Sequence, residues 1–399
     1  MDVPNKPMFT NHIQTVSHTG DIEHALRKIG WEWCLEDDCT NYLPGEAVAL
    51  PEPQADALLE AAGELYDMMV ESVPDDLPDS FMQMLAIPEN LWQVVRKSWH
   101  DDRHWHIYGR FDLAMTADGP KLLEFNADTA TSIPETAVVQ WASLAAAGKH
   151  EAQQLSGLYE ALVEQFLELR EQNSDLSPDL LLVYIGASQE DKTNCDVLAE
   201  AAKEAGFNTH TCPIDEMILS EKGGERGVWK EVESGEWQLF PFLFKLVPWE
   251  QIAWEEPELC EGLSNLVLTR NVVVINPAYT LLFQSKGMLA WLWMRYPNHP
   301  LLLETDFQPI SGKSIRKPFF GREGQNITVA EDEVVQLQVE GEYSQQQFVH
   351  QRYCHLSQDK NGHQYQAGVF WAGEGCAIGF RRDKSIITNL SQFLPHLVV

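Results

Sequence analysis

The stretch IYGRFDLAMTADGPKLLEFNADTATSIPE, from Ile107 to Glu135, decides the fold and gathers more convergent polar chemistry than any other window of its length. Two β-like runs flank Ala117-Asp118-Gly119, a three-residue connection whose glycine can take the positive φ that a hairpin loop needs. The pattern predicts an antiparallel hairpin. The segment from Ala127 to Ser132 that follows is a hydroxyl-rich loop of the kind that often holds substrates, with a plain turn as the alternative.

Side chains alternate between the two faces of a strand, so Arg110 and Asp112 share one face of the first strand. By the same rule, Glu124 and Asn126 share a face of the second. A three-residue loop would set Asp112 opposite Glu124 and Arg110 opposite Asn126. The other face of the hairpin is predicted to be buried, and it carries Phe111, Leu113, Leu123 and Phe125.

The polar face of this hairpin combines two carboxylates, from Asp112 and Glu124, with the amide oxygen of Asn126. Such a set of hard oxygen ligands suits Mg²⁺ and does not suit thiophilic metals. Arg110 beside it would hold an anion, with two hydrogen bonds if the anion is a carboxylate or phosphate. The alternative is the solvated face of an amphipathic hairpin, on which Arg110 and Asp112 offset each other's charge.

The composition is that of an enzyme-sized protein. With 399 residues and 44% hydrophobic content, the chain can bury a substantial core and is predicted to divide into two or three lobes. No apolar run approaches the roughly 20 residues of a membrane span, and residues 1–20 are too polar for a secretory signal. We therefore expect no membrane partner and a cytoplasmic location.

Charge and cysteine content narrow the partners further. The chain carries 28 basic and 60 acidic residues, a formal charge of −32, which argues against nucleic acid as a partner. This balance would favour a cationic co-substrate such as a polyamine; solubility or adaptation to salt is the alternative, since the acids are spread along the chain. The cysteines are expected to be reduced thiols, and the Cys34 and Cys39 spacing lacks the histidines of a zinc finger.

Apolar residues recur at helical spacing in several segments around the hairpin. Helices are predicted for residues 53–73, where a proline opens the first turn, for the segment from about 88 to 99, and for residues 137–147 and 150–171. An aromatic segment that packs on the body is predicted to contain Trp31, Trp33 and Tyr42.

The pattern then changes to that of an α/β lobe. A buried strand at 180–185, a helix at about 193–205 and a short strand ending near Cys212 predict a parallel βαβ unit, with 239–246 and 272–275 as further buried strands. No GxGxxG motif is present, so no dinucleotide is assigned. Glu190 and Asp191 are predicted in the first strand-to-helix loop, a place where such sheets bind ligands; a charge pair at a helix N-terminus is the alternative.

Two lysines and a glycine-punctuated turn follow. Lys286 precedes a predicted helix at 288–295, and Lys317 ends a short run that leads into the turn 318–326, whose amides could close over phosphates. The GxxxxGK[ST] order of a Walker loop is missing. Short strands are predicted to the end of the chain, at 334–339, 348–353, 365–371, 376–380 and 385–388.

RFDLA followed by LLEFNADTATS resembles the synthetase part of the glutathionylspermidine synthase family, a group of ATP-grasp carboxylate–amine ligases, and the resemblance runs over nearly the whole chain. It implies an α+β fold with an α/β lobe, namely an ATP-grasp fold with a pre-ATP-grasp, Rossmann-like domain. Residues 1–177 would then be an N-terminal helical segment plus the metal and substrate hairpin at 107–135. Residues 178–277 would be the pre-ATP-grasp-like lobe, and 278–399 the nucleotide-binding lobe.

The resemblance also implies a role for individual residues. Mg²⁺ would be held by Asp112, Glu124 and Asn126, and the phosphoryl group being transferred would be stabilised by the catalytic residues Arg110 and Arg381. ATP would contact Lys286, Lys317, Gly321, Arg322, Gly324, Gln351 and Tyr353. The substrates would contact Thr129, Thr131 and Ser132, to which the sheet-edge argument adds Glu190 and Asp191.

The activity so implied is ATP- and Mg²⁺-dependent formation of an amide through an acyl phosphate, from a peptide or glutathione-like acid and a polyamine or other amine. The chain is too short for the family's amidase domain, so it looks like the stand-alone type. Leu246 stands where the family has a hydroxyl, and Asn389 and Leu390 where it has a lysine, which weakens the expectation for glutathione itself. The alternative is a nucleotide-binding sensor or scaffold that has lost ligase chemistry.

Overall fold

The computed structural model describes residues 8–10, 12–17, 20–31, 42–149, 154–332, 334–388 and 391–399. Predictions that involve Trp33, the Cys34 and Cys39 spacing, or Asn389 and Leu390 lie outside the described residues. In the part that is described, no helix is long and apolar enough to cross a membrane.

The first half of the chain is mostly helical and surrounds the predicted hairpin. Its elements are β1 (Thr15–Ser17), α1 (Ile22–Lys28), β2 (Glu46–Leu50), α2 (Glu52–Ser72), α3 (Asp79–Met84), α4 (Trp92–Trp99), β3 (Gly109–Thr116), β4 (Gly119–Asn126), a π-helical turn (Glu135–Val139), α5 (Gln140–Ala146) and α6 (Leu158–Gln172). The helices predicted from periodicity are confirmed, with Pro53 in the first turn of α2. However, α6 begins at Leu158, and residues 154–157 are not helical.

The middle of the chain alternates strands and helices. Its elements are β5 (Asp179–Tyr184), α7 (Gln189–Glu204), β6 (Asn208–Pro213), β7 (Met217–Ser220), β8 (Gly227–Glu233), β9 (Glu236–Phe240), β10 (Phe242–Lys245), α8 (Trp249–Glu255), α9 (Pro257–Leu268) and β11 (Val273–Ile275). The strands β11, β10, β5 and β6 form a parallel sheet in that order, so the predicted βαβ unit is confirmed.

Two predictions for this region were wrong. The apolar run 239–246 is two strands, not one, because Pro241 has no N–H to continue a ladder; β9 belongs instead to the antiparallel sheet β7-β8-β9. Glu190 and Asp191 lie in the first turn of α7, not in the loop before it, because Ser188 caps the helix and its side chain accepts a hydrogen bond from the backbone N–H of Asp191.

The last part of the chain is mostly strands. Its elements are α10 (Leu281–Gln284), α11 (Gly287–Arg295), β12 (Thr305–Asp306), β13 (Lys313–Pro318), β14 (Thr328–Glu331), β15 (Val334–Gln338), β16 (Phe348–Arg352), β17 (Gln364–Ala372), β18 (Glu374–Asp383), β19 (Gln392–Leu394) and β20 (His396–Val398). The strand predicted at 385–388 is wrong. Side chains satisfy backbone N–H groups there, since Ser385 N donates to Asp383 and Thr388 N donates to Ser391.

Two five-stranded sheets frame the candidate site. One has the order β19-β18-β17-β3-β4, so the hairpin of the first half pairs through β3 with a strand from the end of the chain. The other has the order β12-β16-β13-β14-β15 and carries Lys317 at the end of β13. The sheets meet where Lys317 Nζ donates a hydrogen bond of 3.0 Å to the carbonyl of Leu123. The chain therefore has a mixed α/β structure with several separate sheets, as predicted.

The hairpin has the predicted register at its polar pairs, with Asp112 opposite Glu124 and Arg110 opposite Asn126. The loop itself is one residue shorter than predicted, because Gly119 already pairs with Thr116. A β-bulge at Leu123 offsets this difference, since an extra residue on one strand shifts every later pair by one. The prediction that Leu123 joins the buried face was therefore wrong: Leu122 is buried in its place, whereas Leu123 is partly exposed.

Candidate active site

The polar face of the hairpin is a connected group. The guanidinium of Arg110 pairs with Asp112 through two contacts, Nε to Oδ1 at 2.7 Å and Nη2 to Oδ2 at 3.1 Å. Asn126 donates to Asp112 at 3.3 Å, and Arg110 also donates to the carbonyl of Thr131 at 2.8 Å. Burial raises the pKa of Asp112, and the charge of Arg110 opposes this shift. Arg110 thus links the hairpin to the loop that follows it.

Glu124 lies beside both predicted lysines. Lys286 Nζ is 3.2 Å from Glu124 Oε2 and donates to the carbonyl of Gly321 at 2.7 Å. Lys317 donates to the carbonyl of Leu123 and, at 2.9 Å, to Gln351 Oε1. Burial disfavours the carboxylate, but the charges of Lys286 and Lys317 outweigh it and lower the pKa of Glu124 to about 2. Glu124 is therefore ionised across the physiological range.

A cavity of about 220 Å³ lies between the two five-stranded sheets. We call it the inter-sheet cavity. It brings together seven residues predicted to bind metal or nucleotide: Glu124, Lys286, Lys317, Gly321, Gly324, Gln351 and Tyr353. Its other walls are largely apolar and include Ile315, Val329 and Ile386. An apolar slot that ends in two lysines and a glycine turn can accept a flat ring that carries anionic groups.

The turn from 318 to 326 closes one side of this cavity. Gly324 has φ +69°, and a Cβ there would lie 2.7 Å from Ile386 Cγ2, so both the backbone and the close approach require glycine. Lys286 fastens the turn through the carbonyl of Gly321. The turn is thus held against the cavity by a residue predicted to bind phosphate.

A smaller pocket lies beside Asp112. It is lined by the candidate residues Arg110, Asp112, Ser132 and Arg381. Arg381 Nη2 donates to Ser132 Oγ at 2.8 Å. Burial lowers the pKa of Lys317 to about 8, and the negative charge of Asp112 opposes this shift. The arginines therefore line a pocket with Asp112, whereas the lysines line the inter-sheet cavity with Glu124, which faces Asp112 on the hairpin.

Arg322 lies apart from the other nucleotide candidates. Its guanidinium donates to Thr129 Oγ1 at 3.3 Å and to Glu250 Oε1 at 2.5 Å, and it lines a different cavity. Thr129 is thereby in contact with the glycine turn. Thr131 contacts the site through its backbone carbonyl, which accepts a hydrogen bond from Arg110.

Acidic side chains surround Arg381. Burial raises the pKa of Glu190 to about 7; the charge of Glu135 adds to this shift and that of Arg381 opposes it. Glu135 is buried and accepts a hydrogen bond of 2.6 Å from the hydroxyl of Tyr42. Asp191 also has its pKa raised by burial. Glu135 was not predicted as a site residue, although it lies only three residues beyond Ser132.

A buried ion pair, which was also not predicted from the sequence, joins the loop at 127–132, which we call the substrate loop, to the end of β10. Lys245 Nζ lies 2.9 and 3.0 Å from the two carboxylate oxygens of Asp128, and both side chains are almost fully buried. The backbone N–H of Trp249 donates to the same carboxylate, and Asn276 donates to the Asp128 carbonyl at 2.8 Å. The available signal was a lysine in the otherwise apolar run FLFKLV, since an unpaired lysine is almost never buried.

The predicted metal ligands fit Mg²⁺ by their chemistry. In the described part of the chain, no group of three or more His, Cys, Asp or Glu side chains is arranged to hold a metal ion. The predicted set instead has two carboxylates, on facing residues of the hairpin, and the amide of Asn126, which touches Asp112. All three provide oxygen, the ligand that Mg²⁺ prefers. Both carboxylates also have cationic neighbours, Arg110 and Lys286.

Comparison with known proteins identifies the class: the protein is a C–N ligase of the ATP-grasp type. Residues 13–399 match the family model described as glutathionylspermidine synthase preATP-grasp, and the chain belongs to that family. It is 30% identical over 360 residues to a putative acid–amine ligase of Haemophilus influenzae, covering 87% of this chain and 88% of that one. The predicted family and enzyme class are therefore confirmed.

Two further comparisons bear on length and fold. The bifunctional glutathionylspermidine synthetase/amidase of Escherichia coli is 25% identical over 387 residues, which cover 90% of this chain but 60% of the relative. A solved glutathione synthetase-like effector from Globodera pallida matches with a TM-score of 0.53 and 9% identity, covering 88% of this chain and 89% of the effector. This last likeness concerns the fold alone.

Proposed function

We propose that the protein joins the carboxylate of a peptide-like acid to an amine, with ATP as the energy source and an acyl phosphate as the intermediate. One observation carries this proposal: Asp112 and Glu124 face each other on one hairpin, while Lys286 and Lys317, from a distant part of the chain, flank Glu124 in the same cavity. Paired carboxylates beside paired lysines suit a metal-bound triphosphate.

In this proposal the inter-sheet cavity holds ATP. The apolar walls with Gln351 and Tyr353 receive the adenine, and Lys286, Lys317 and the turn at Gly321 and Gly324 receive the phosphates. Asp112, Glu124 and Asn126 would hold Mg²⁺, which when bound neutralises negative charge on phosphate oxygens. Arg322 reaches the phosphates only if the turn moves, because its guanidinium is now bound to Thr129 and Glu250.

The reaction then needs positioning and charge neutralisation rather than a covalent nucleophile on the protein. An oxygen of the substrate carboxylate attacks the γ-phosphorus of ATP, the bond from that phosphorus to the bridging oxygen breaks, and ADP leaves. The amine first gives the extra proton of its ammonium form to water, and its nitrogen then attacks the acyl carbon. Inorganic phosphate leaves, and the nitrogen gives a second proton to water. Arg110 and Arg381 line the pocket next to Asp112, where their charge would stabilise the transferred group.

The loop that contacts both arginines is the proposed site of the acid. The carbonyl of Thr131 and the hydroxyl of Ser132 contact Arg110 and Arg381, and Thr129 contacts Arg322. Glu190 and Asp191, together with Glu135, would attract the amine as its ammonium ion. Leu246 offers no hydroxyl, which favours an acid other than glutathione.

The finer assignments of fold and location belong to the same proposal. The parallel sheet β11-β10-β5-β6 supports a Rossmann-like pre-ATP-grasp lobe at 178–277, between an N-terminal part at 1–177 and a nucleotide-binding lobe at 278–399. The polar sequence at 1–20 supports a cytoplasmic location.

The test is phosphate release from ATP in the presence of Mg²⁺ and a panel of small peptides and polyamines. We expect release to require both an acid and an amine, and Arg110→Ala or Asp112→Asn to lower turnover by roughly 10² or more. Arg226→Ala, which changes an exposed arginine in a turn that lines neither pocket, should leave the rate unchanged. Near-normal rates in both site variants would contradict the proposal, and ATP binding without release would indicate a sensor.

A further inference from the structure

One feature that the proposed mechanism leaves unused is a cavity of about 500 Å³ on the reverse side of the glycine turn. Gly321, Glu323 and Gly324 face the inter-sheet cavity, whereas Phe319, Phe320 and Arg322 face this second one. The remaining walls come from α8, from the connection between β15 and β16, and from Ala86. We call it the Glu250 cavity, after the buried residue that lines it.

Charge in the Glu250 cavity favours a cation. Three carboxylates line it, from Glu250, Glu255 and Glu342, against the single cationic side chain of Arg322. The charge of Arg322 is already offset by Glu250, whose carboxylate lies 2.5 Å from it. Glu255 and Glu342, at the exposed rim, therefore leave the cavity with a net negative charge. Such a cavity attracts ammonium groups and repels phosphates and carboxylates.

One buried residue that lines the cavity, Glu250, has a carboxylate oxygen that lacks a donor. The side chain of Glu250 is only 3% exposed, and its Oε2 atom has no hydrogen-bond partner among the described residues. A buried acceptor without a partner costs free energy, and in native structures such an atom usually has a ligand, water or ion to explain it. An ammonium N–H in the cavity is a donor of the right charge.

The walls are suited to an ammonium group with an attached alkyl chain. The ring of Trp254 is half exposed and packs edge-to-face on Phe320, with ring centroids 5.6 Å apart. Aromatic faces attract alkylammonium groups. The neighbouring glutamines Gln345 and Gln347 offer amide oxygens to further N–H donors, whereas the amide oxygen of Gln346 accepts from the backbone N–H of Phe320.

We propose that the Glu250 cavity binds the ammonium group of one of the two substrates of the ligase. The identification of the occupant as a substrate rests on the proposed function. Arg322 supports the link, because its guanidinium joins Glu250 in this cavity to Thr129 in the substrate loop. Two sources share the chemistry: an ammonium group of a polyamine other than the one attracted to Glu190 and Asp191, and the distal amino group of a peptide-like acid whose carboxylate lies in the pocket lined by Arg110 and Arg381.

The test is calorimetric titration of the full chain, with Mg²⁺ and a non-hydrolysable ATP analogue, against spermidine, glutathione and N-acetylglutathione as probes. The variants are Glu250→Gln and the double variant Glu255→Gln/Glu342→Gln, with Glu258→Gln as the matched control because it is exposed on α9 and does not line the cavity. The rim variants change exposed side chains only, so they keep the test open if Glu250→Gln fails to fold.

For one probe we expect Kd to rise about tenfold in the rim double variant and tenfold or more in Glu250→Gln, with no change in Glu258→Gln. An effect on spermidine identifies the polyamine. An effect on glutathione identifies the distal amino group. In that case N-acetylglutathione should bind the wild-type protein about as weakly as glutathione binds the variants. A change under twofold for all probes in the rim variant overturns the proposal.

Phosphate release by the same protein variants, assayed with ATP in place of the analogue, separates this inference from the proposed function. A wild-type protein that turns over, combined with unchanged affinities in the rim variant, defeats the cavity assignment alone. Charge-dependent binding without any turnover supports the ammonium site and defeats the ligase chemistry instead.

Discussion

Replacing Lys245 by methionine removes the cation of the buried pair behind the substrate loop while keeping a side chain of similar length. Both members of the pair are almost fully inside the protein, and the ammonium group donates to Asp128 twice and to the carbonyl of Val247. Breaking such a pair from one side leaves an uncompensated buried charge and costs about 3–5 kcal/mol. We expect Lys245→Met to lower the free energy of unfolding by that amount.

Urea unfolding followed by circular dichroism measures this loss, with Lys222→Met, an exposed lysine, as the control. The double variant Lys245→Met/Asp128→Asn should lose less than Lys245→Met alone, because it leaves no buried charge and the amide can still accept from the N–H of Trp249. A loss below about 1 kcal/mol in the single variant, or an equal loss in both, would refute the reasoning.

Two further predictions concern the candidate site itself. Burial lowers the pKa of Lys317 to about 8, so in the free protein its positive charge is lost as the pH rises through that value. The KM for ATP should therefore increase above about pH 8. A KM that is constant from about pH 7 to 9.5 would contradict a phosphate-binding role for Lys317. In Gly368→Ala the new Cβ would lie 3.1 Å from Arg110 Cδ and displace the Arg110 side chain slightly, so kcat should fall about tenfold with little loss of stability. Gly63→Ala is the control: its new Cβ meets nothing within 4 Å, so this variant should keep its rate.

The parts of the fold that periodicity describes could be predicted from the sequence. The period of two in a strand predicted that Asp112 faces Glu124, and helical spacing predicted α2, since both signals come from which side chains share a face. The order of apolar strand, helix and strand predicted the α/β lobe. The bulge at Leu123 could not be predicted, because nothing in the sequence marks the extra residue. The correct register therefore resulted from two offsetting differences, a shorter loop and a bulge.

Long-range partners limited the prediction of the site. Asp128 and Lys245 are 117 residues apart, and only the packing of the substrate loop against the end of β10 brings them together. Long-range contacts also determine the position of Arg322. The sequence of the turn 318–326 predicts a phosphate contact, but it does not predict which residues of the turn face the inter-sheet cavity. Pro241, in contrast, was a signal in the sequence that should have divided the run 239–246.

The pairing of β3 with β17 sets a condition on how the molecule forms. Residues 109–116 can pair with β17 only after the ribosome has synthesised some 250 further residues. Forming a contact between segments so far apart in sequence is entropically costly and slow. During that interval one hydrogen-bonding edge of the hairpin, with Arg110 and Asp112 on it, has no native neighbour, which is the situation in which nascent chains aggregate or recruit chaperones. Catalytic competence would then emerge late and all at once, with the docking of the C-terminal strands.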